Sequence, residues 1–309
     1  MKKRAFILAL LAFILAFAKE EAAIAADALR VSGWTRPFNL HVMMEIEDGA
    51  YAKAFPEFDV TIVDMQSGPN LMAALEAGEV DIVQGIGDAA FLVAASEGID
   101  ARVFAVNSRS PKAFAVVTKN PDIKNISDLK GHSAAGLRGS VVHQVFMAAL
   151  AENGMTESDV DFYPMPLANA ASTLLAGRVD AALLVGGDIL RIEQAGGTVL
   201  ADGEGRVSGL SFAVIRAPFL RDHPDVVARF IAMRQATLEA IQTDRARALE
   251  AAAKDMKQEP AEIERIMAMY DFGYAITSDD ISSMEATKKY LRDNKMLRND
   301  VDIESLFVM

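Results

Sequence analysis

The 309-residue sequence contains no cysteine. That excludes disulfide bonds, thiolate metal ligands, a cysteine nucleophile and a cysteine-linked lipid anchor. Histidine is scarce too. His41, His132, His143 and His223 are the only four, without ligand-like spacing, so no zinc or other metal centre is expected. Trp34 is the single tryptophan. Basic side chains are in deficit, with 31 Lys and Arg against 43 Asp and Glu and a formal net charge of -12. Such a chain gains nothing from neutralising phosphates, so nucleic acid is not an expected partner. Past the N-terminal stretch, no run approaches the 18 apolar residues of a membrane span. What remains is a globular composition, 51 % hydrophobic and 24 % charged, in a chain long enough for two domains or one large one.

The N-terminal stretch reads as a secretory signal peptide. Lys2, Lys3 and Arg4 precede an apolar run from Ala5 to Ala18 that is too short to span a bilayer as a helix. Ala23-Ile24-Ala25 and Ala26-Asp27-Ala28 then offer two small-residue cleavage sites. Cleavage after Ala25 removes four basic and two acidic side chains, which moves the net charge from -12 to -14. The expected product is a free, soluble periplasmic protein.

Strands and helices alternate along the rest. Leu29–Gly33 and Phe58–Met65 read as strands, with a mainly helical Phe38–Phe55 between them. A helix over Asn70–Ala77 stops at Gly78, Val80–Gln84 is a strand, and a helix runs from Asp88 to about Glu97. Arg102–Asn107 follows as a strand. The pattern restarts with strands at Phe114–Thr118 and Ser133–Gly136, a helix over Val141–Asn153, and further strands at Val160–Tyr163, Val179–Val185, Thr198–Ala201 and Leu210–Arg216. Helices over Asn169–Ala176 and Ile189–Gln194 lie between them. The last ninety residues are almost all helix, over about 223–242, 244–257, 260–270 and 278–293, with Ser278-Asp279 as the expected N-cap of the last. Such alternation calls for parallel strands joined by right-handed crossovers. One echo stands out: Leu75-Glu76-Ala77-Gly78-Glu79-Val80-Asp81 matches Leu174-Leu175-Ala176-Gly177-Arg178-Val179-Asp180. It suggests two lobes of related build.

Several segments occur in a recognisable order. They are Ser67-Gly68 with Ala74–Asp81, Asp128-Leu129-Lys130-Gly131, Gly139-Ser140 with His143, Gly177–Ala181, and His223-Pro224-Asp225-Val226-Val227. Together they resemble the periplasmic substrate-binding proteins of ABC importers for nitrate, taurine and alkanesulfonates. The resemblance implies an α/β fold of two lobes, with mainly parallel sheets, a helical C-terminal region, and the ligand in the cleft between lobes. Mapped here, residues 1–25 are the signal peptide, 29–110 with 217–309 form lobe one, and 111–216 form lobe two. The aromatic-Glu-Pro usual in the second lobe is replaced by Val185-Gly186-Gly187-Asp188.

Ligands of open α/β sheets bind outside the carboxyl ends of the strands. The loops placed there carry the candidates. Ser67 and Gly68, and Gly139 and Ser140, sit just before helices, whose unpaired N–H groups suit a sulfonate or carboxylate. Arg138 and Arg36 can fork onto an anion. Trp34 can wall the ligand, and His143 can donate to it. Asp88, after Gly87, and Asp188 are candidates for holding an ammonium group, which favours a zwitterion such as taurine. Each also reads as an ordinary helix-start aspartate. Gly85-Ile86-Gly87-Asp88-Ala89-Ala90 matches a dinucleotide fingerprint, but the acidic residue expected about twenty positions on is absent, so no cofactor is expected. The expected function is capture of a small sulfonate or amino-sulfonate by lobe closure and delivery to an ABC permease, by a monomer without catalytic residues. The alternatives are another small ligand (a thiamine-pyrimidine precursor, an aromatic acid or an amino acid), a sensor subunit, or an enzyme.

Overall fold

Val31, Ile82, Val83, Val103, Val106 and Val214 come from strands of one sheet and are fully buried. Their β-branched side chains fit a pleated surface covered on both faces by helices. The computed structural model describes residues 27–32, 39–65 and 68–308. The expected signal peptide and the candidates Trp34, Arg36 and Ser67 lie outside the described residues. The first sheet contains β1 (Asp27–Ser32), β2 (Phe58–Val63), β3 (Ile82–Gly87), β4 (Ala101–Arg109) and β10 (Leu210–Arg216), in the order β2-β1-β3-β10-β4. The second contains β5 (Phe114–Thr118), β6 (Ser133–Gly136), β7 (Asp161–Pro164), β8 (Ala181–Val185) and β9 (Thr198–Asp202), in the order β7-β6-β8-β5-β9.

The two sheets have the same construction. In each, two pairings are parallel and two antiparallel, so the parallel pairing expected from the sequence covers one side of each sheet. The antiparallel side is made by a strand that arrives from the other lobe: β10 between β3 and β4, and β5 between β8 and β9. This corrects the expected boundary at 216. Leu210–Arg216 belongs to the first sheet, because its alternating pattern seats Phe212 and Val214 in the core of that lobe. The chain crosses between lobes at 110–113 and again at 203–209. The crossings touch where Ser110 donates its backbone N–H to the Gly209 carbonyl at 3.1 Å. A Cβ at Gly209 would lie 2.5 Å from the Ser110 carbonyl carbon, so only glycine allows this approach.

Helices cover both sheets. On lobe one, α1 (Leu40–Glu47) and α2 (Ala50–Ala54) are separated by Gly49 at φ +60, and α3 (Gly68–Ala77) and α4 (Asp88–Glu97) follow. On lobe two, α5 (Val141–Glu152), α6 (Leu167–Leu175) and α7 (Gly187–Gln194) do the same. The short helix α8 (Ala217–Asp222), which the sequence did not announce, leads into α9 (Val226–Thr243), α10 (Arg245–Met256), α11 (Pro260–Met267) and α12 (Ser278–Asp293). Thr277, not Ser278, caps α12, in a reciprocal capping box with Asp280. The α10–α11 pair reaches across to lobe two. Leu190 of α7 joins Leu40, Ile263 and Ile266 in one apolar cluster, and Arg265 pairs with Glu193 at 3.0 Å.

Candidate functional site

Between the lobes lies a cleft of about 540 Å³. Its floor is set by the strand ends of lobe one: Gly85, Ile86 and Gly87 of β3, Ser108 at the end of β4, and Leu210 and Ser211 of β10. Gly85 has φ +78 where the β3–β10 register shifts. The glycine of the fingerprint-like motif therefore serves a bulge, which bends the strand end beside the cleft. Ser108 and Ser211 share a hydrogen bond at 2.8 Å between their hydroxyls.

Three helices start at this cleft. Gly68 and Pro69 open α3, Gly87 and Ala89 open α4, and Ser140, Val141 and Val142 open α5 from the opposite lobe. The first N–H groups of a helix lack carbonyl partners within it and carry partial positive charge, so helix starts around one space favour an anion, although at α4 the Ala89 N–H is taken by Asp88 Oδ1. Ser140 caps α5 with its hydroxyl, which accepts from His143 N at 3.3 Å and donates to the Leu137 carbonyl at 2.7 Å. Away from the helix starts the cleft is apolar. Met72, Ala90, Val93 and Ala94 on α3 and α4 face Leu137 of lobe two and Leu291 and Met296 of lobe one. The trough runs out toward Glu76 and Glu97, which are exposed.

Gly68, Gly87, Arg138, Gly139 and Ser140 thus line the cleft. Asp88, His143 and Asp188 do not, and each has another engagement. Asp88 is buried at 3 % exposure. Its Oδ1 accepts the Ala89 N–H at 2.8 Å and its Oδ2 accepts the Thr287 hydroxyl at 2.7 Å. Burial pushes its pKa up, against these hydrogen bonds. Asp188 stands in the first turn of α7 beside Arg191, 3.6 Å away. The N-cap residues are Gly87 and Gly186, so both aspartates sit in the first turn of their helices and not at the cap. His143 is turned to Glu157, 2.8 Å from its Nε2. Arg138 also pairs with Glu157, at 2.5 Å, and its guanidinium lies 5.0 Å from the centre of the Phe162 ring. Glu157 is opposed in ionising by burial, but its two hydrogen-bonded partners outweigh that and hold its carboxyl below the usual range. Arg138 therefore lines the cleft with its charge already compensated.

The sequence did not single out Asn39, Ser108, Ser110, Ser211 and Tyr270, which also line the cleft. Asn39 follows the 34–37 loop by two residues, and nothing local marks it as facing the cleft. Ser108 extends a strand that was expected to end at Asn107. Ser211 could not be found without knowing that β10 crosses back into lobe one.

This is the fold of periplasmic binding proteins: two lobes of the same topology, two crossings, and a cleft at the helix starts. The sequence profile of the NMT1/THI5 like family matches residues 57–279, and the chain belongs to that family. It is 32 % identical over 130 residues to an Escherichia coli (strain K12) protein named for aliphatic sulfonate binding, a match spanning 42 % of this chain and 40 % of that protein. A Bacillus subtilis (strain 168) protein of the same name is 26 % identical over 269 residues, spanning 84 % of this chain and 80 % of that one. The crystal structure of the periplasmic aliphatic sulphonate binding protein SsuA from Escherichia coli superposes with a TM-score of 0.82 at 22 % identity, over 92 % of each chain. No helix among the described residues is long and apolar enough to cross a membrane.

Proposed function

We propose that the protein is the periplasmic binding component of an ABC importer and captures an organosulfonate between its lobes. The observation that carries this reading is the convergence of three helix N-termini from both lobes on one cleft. A sulfonate is a small, permanently charged oxyanion with three acceptor oxygens, which suits several N–H donors arriving from different directions. Closing the lobes on it brings the α5 end to the α3 and α4 ends, a hinge motion at 110–113 and 203–209. Binding without catalysis agrees with relatives that are named for binding.

The apolar trough favours an aliphatic or aromatic substituent over the aminoethyl group of taurine. A cleft of about 540 Å³ falls in the range that holds drug-sized ligands. Asp88 and Asp188, the side chains that favoured an ammonium group, are engaged elsewhere. Delivery to a permease follows from the same reading, as does export by the expected signal peptide. Native mass spectrometry of the protein purified from its own periplasm tests it. A co-purified mass matching an organosulfonate is expected, and a bound amino acid or pyrimidine in its place would refute it.

A further inference from the structure

Four serines line the cleft among the described residues, and their hydroxyl protons are not equally spent. Ser110 donates to the Gly209 carbonyl at 3.2 Å, and Ser140 donates to the Leu137 carbonyl at 2.7 Å. The hydroxyls of Ser108 and Ser211 are paired with each other at 2.8 Å. Two hydroxyls carry two protons, and their mutual hydrogen bond uses one of them. The second proton has no acceptor in the protein, although Ser108 is only 3 % exposed at the cleft floor. A buried donor without an acceptor is costly, so this position calls for an acceptor that arrives from outside.

The other buried polar cluster of lobe one is different. Arg234 of α9 is 1 % exposed, forms a bidentate contact with the fully buried Glu45 of α1, and also donates to Gln84 Oε1. These three side chains pair within the lobe and do not line the cleft.

Strand register aims the serine pair. Ser211 of β10 lies opposite Ser108 on β4 and opposite Gly87 on β3. Directly opposed residues of antiparallel strands put their side chains on one face. The row across three strands therefore reads hydroxyl, hydroxyl, and no side chain at all. Gly87 has φ -65 and ψ 145, extended backbone that any residue adopts. A Cβ there would meet nothing nearer than the Leu210 carbonyl oxygen at 4.0 Å. Neither backbone strain nor packing within the protein requires glycine at 87. The open position beside Ser211 is also the N-cap of α4, so the hydroxyl pair and a helix start border the same space.

We propose that Ser108 and Ser211 form a ligand-binding pair whose unspent proton donates to an oxygen of the anionic head, seated over Gly87. The proposal rests on the oxyanion reading above and adds a side-chain donor to the helix starts. The serine that faces the ligand accepts the proton of the other, and that hydrogen bond polarises it into a stronger donor. The pair is held in place by its two strands before the ligand arrives, which lowers the cost of binding.

Calorimetric titration with 1-butanesulfonate as probe tests the pair. Ser108→Ala combined with Ser211→Ala removes both hydroxyls together and leaves no orphan, so the melting temperature should stay near that of the wild type. The Kd of this double variant should rise at least about tenfold. Gly87→Ala should also melt like the wild type and lose at least about tenfold in affinity, because its methyl takes the seat of the head. A double variant that binds within about twofold of the wild type would overturn the proposal, and so would a Gly87→Ala variant that does. If the wild type binds no sulfonate, the oxyanion reading and the proposal fall together. If it binds and the double variant binds equally well, the proposal falls alone.

Discussion

Asp81 and Asp180 hold the same station in the two lobes. Oδ2 of Asp81 accepts the backbone N–H of Arg30 at 3.0 Å, and Oδ2 of Asp180 accepts that of Ser133 at 3.0 Å. Each aspartate returns its own backbone N–H to the carbonyl of the same residue, at 2.8 and 3.1 Å. A carboxylate thus closes the entry of each sheet's third strand to its neighbour, opposite to the ends that line the cleft. The two have different further partners. Asp81 is fully buried between Arg30 and Arg216, whereas Asp180 has Ser133, Asn120 and His132.

Asp180 gives a pH prediction. Burial opposes its ionisation, but hydrogen bonds from the Ser133 backbone and hydroxyl, from Asn120 and from His132 outweigh burial and hold its pKa at about 2. A depressed carboxyl pKa contributes stability above the unfolded value of 3.8 that is lost as pH falls through about 2. Asp180→Asn should therefore lower stability by roughly 1–2 kcal/mol at pH 7. The deficit should shrink toward zero as the pH is taken from 4 to 2, as read by urea unfolding at each pH.

Asp88 has the opposite sign. Its pKa is raised by burial, so the folded protein holds the proton to higher pH than the unfolded chain does. This contribution erodes stability as the pH rises from the unfolded value through the folded one. Asp88→Asn keeps an acceptor for Ala89 N–H or the Thr287 hydroxyl and removes the buried charge. The melting temperature at pH 7 should stay level or rise, and ligand affinity should stay within twofold. A large loss of affinity would return Asp88 to the binding site.

Breaking the Arg234–Glu45 pair should cost far more than replacing it. Arg234→Met leaves Glu45 buried without its cation, and a loss of about 3–5 kcal/mol is expected in denaturant unfolding. Arg234→Met combined with Glu45→Leu should recover much of that loss. If the double variant were no better than the single, the pair would not be the source of the cost.

Gly139 and Gly154 separate backbone strain from closure. Both have positive φ, +78 and +68. A Cβ at Gly154 meets nothing within 4 Å, but at Gly139 it lies 3.0 Å from the Met296 methyl, across the cleft in the other lobe. Gly154→Ala should cost about 1 kcal/mol of stability and leave affinity alone. Gly139→Ala should carry a similar stability cost and in addition weaken ligand binding several-fold. Equal affinities for the two variants would mean that the 137–140 turn does not close on Met296.

Much of the fold was legible because local signals agreed with the global pattern. Gly78 and Gly177, at φ +73 and +66, end helices where the echoed motif placed them, and the aspartates three residues on turned out to be equivalent. The helix α11 starts at Pro260, as its proline signalled, whereas α9 starts at Val226, two residues past Pro224. The β10 strand was assigned to the wrong lobe because nothing local tells a strand which sheet it will join; Phe212 and Val214 suit either core. The backbone part of the candidate site was readable, since glycine before a helix is a local feature. The side-chain part was not. Asp88 and Arg138 have partners at Thr287 and Glu157, 199 and 19 positions away, and only the fold shows that those partners are engaged. Asn39 was invisible for the same reason, since its partner Asn107 is 68 positions away.

The central claim is that the cleft binds an organosulfonate head at the converging helix starts with its tail along α4. Calorimetric titration of the wild-type protein with ethane-, butane-, hexane- and octanesulfonate tests it most directly. Affinity should rise with chain length, by up to about fourfold for each methylene that enters the Met72–Val93–Met296 trough, and level off once the tail reaches Glu97. Absence of binding heat with every sulfonate at millimolar concentration would contradict the account.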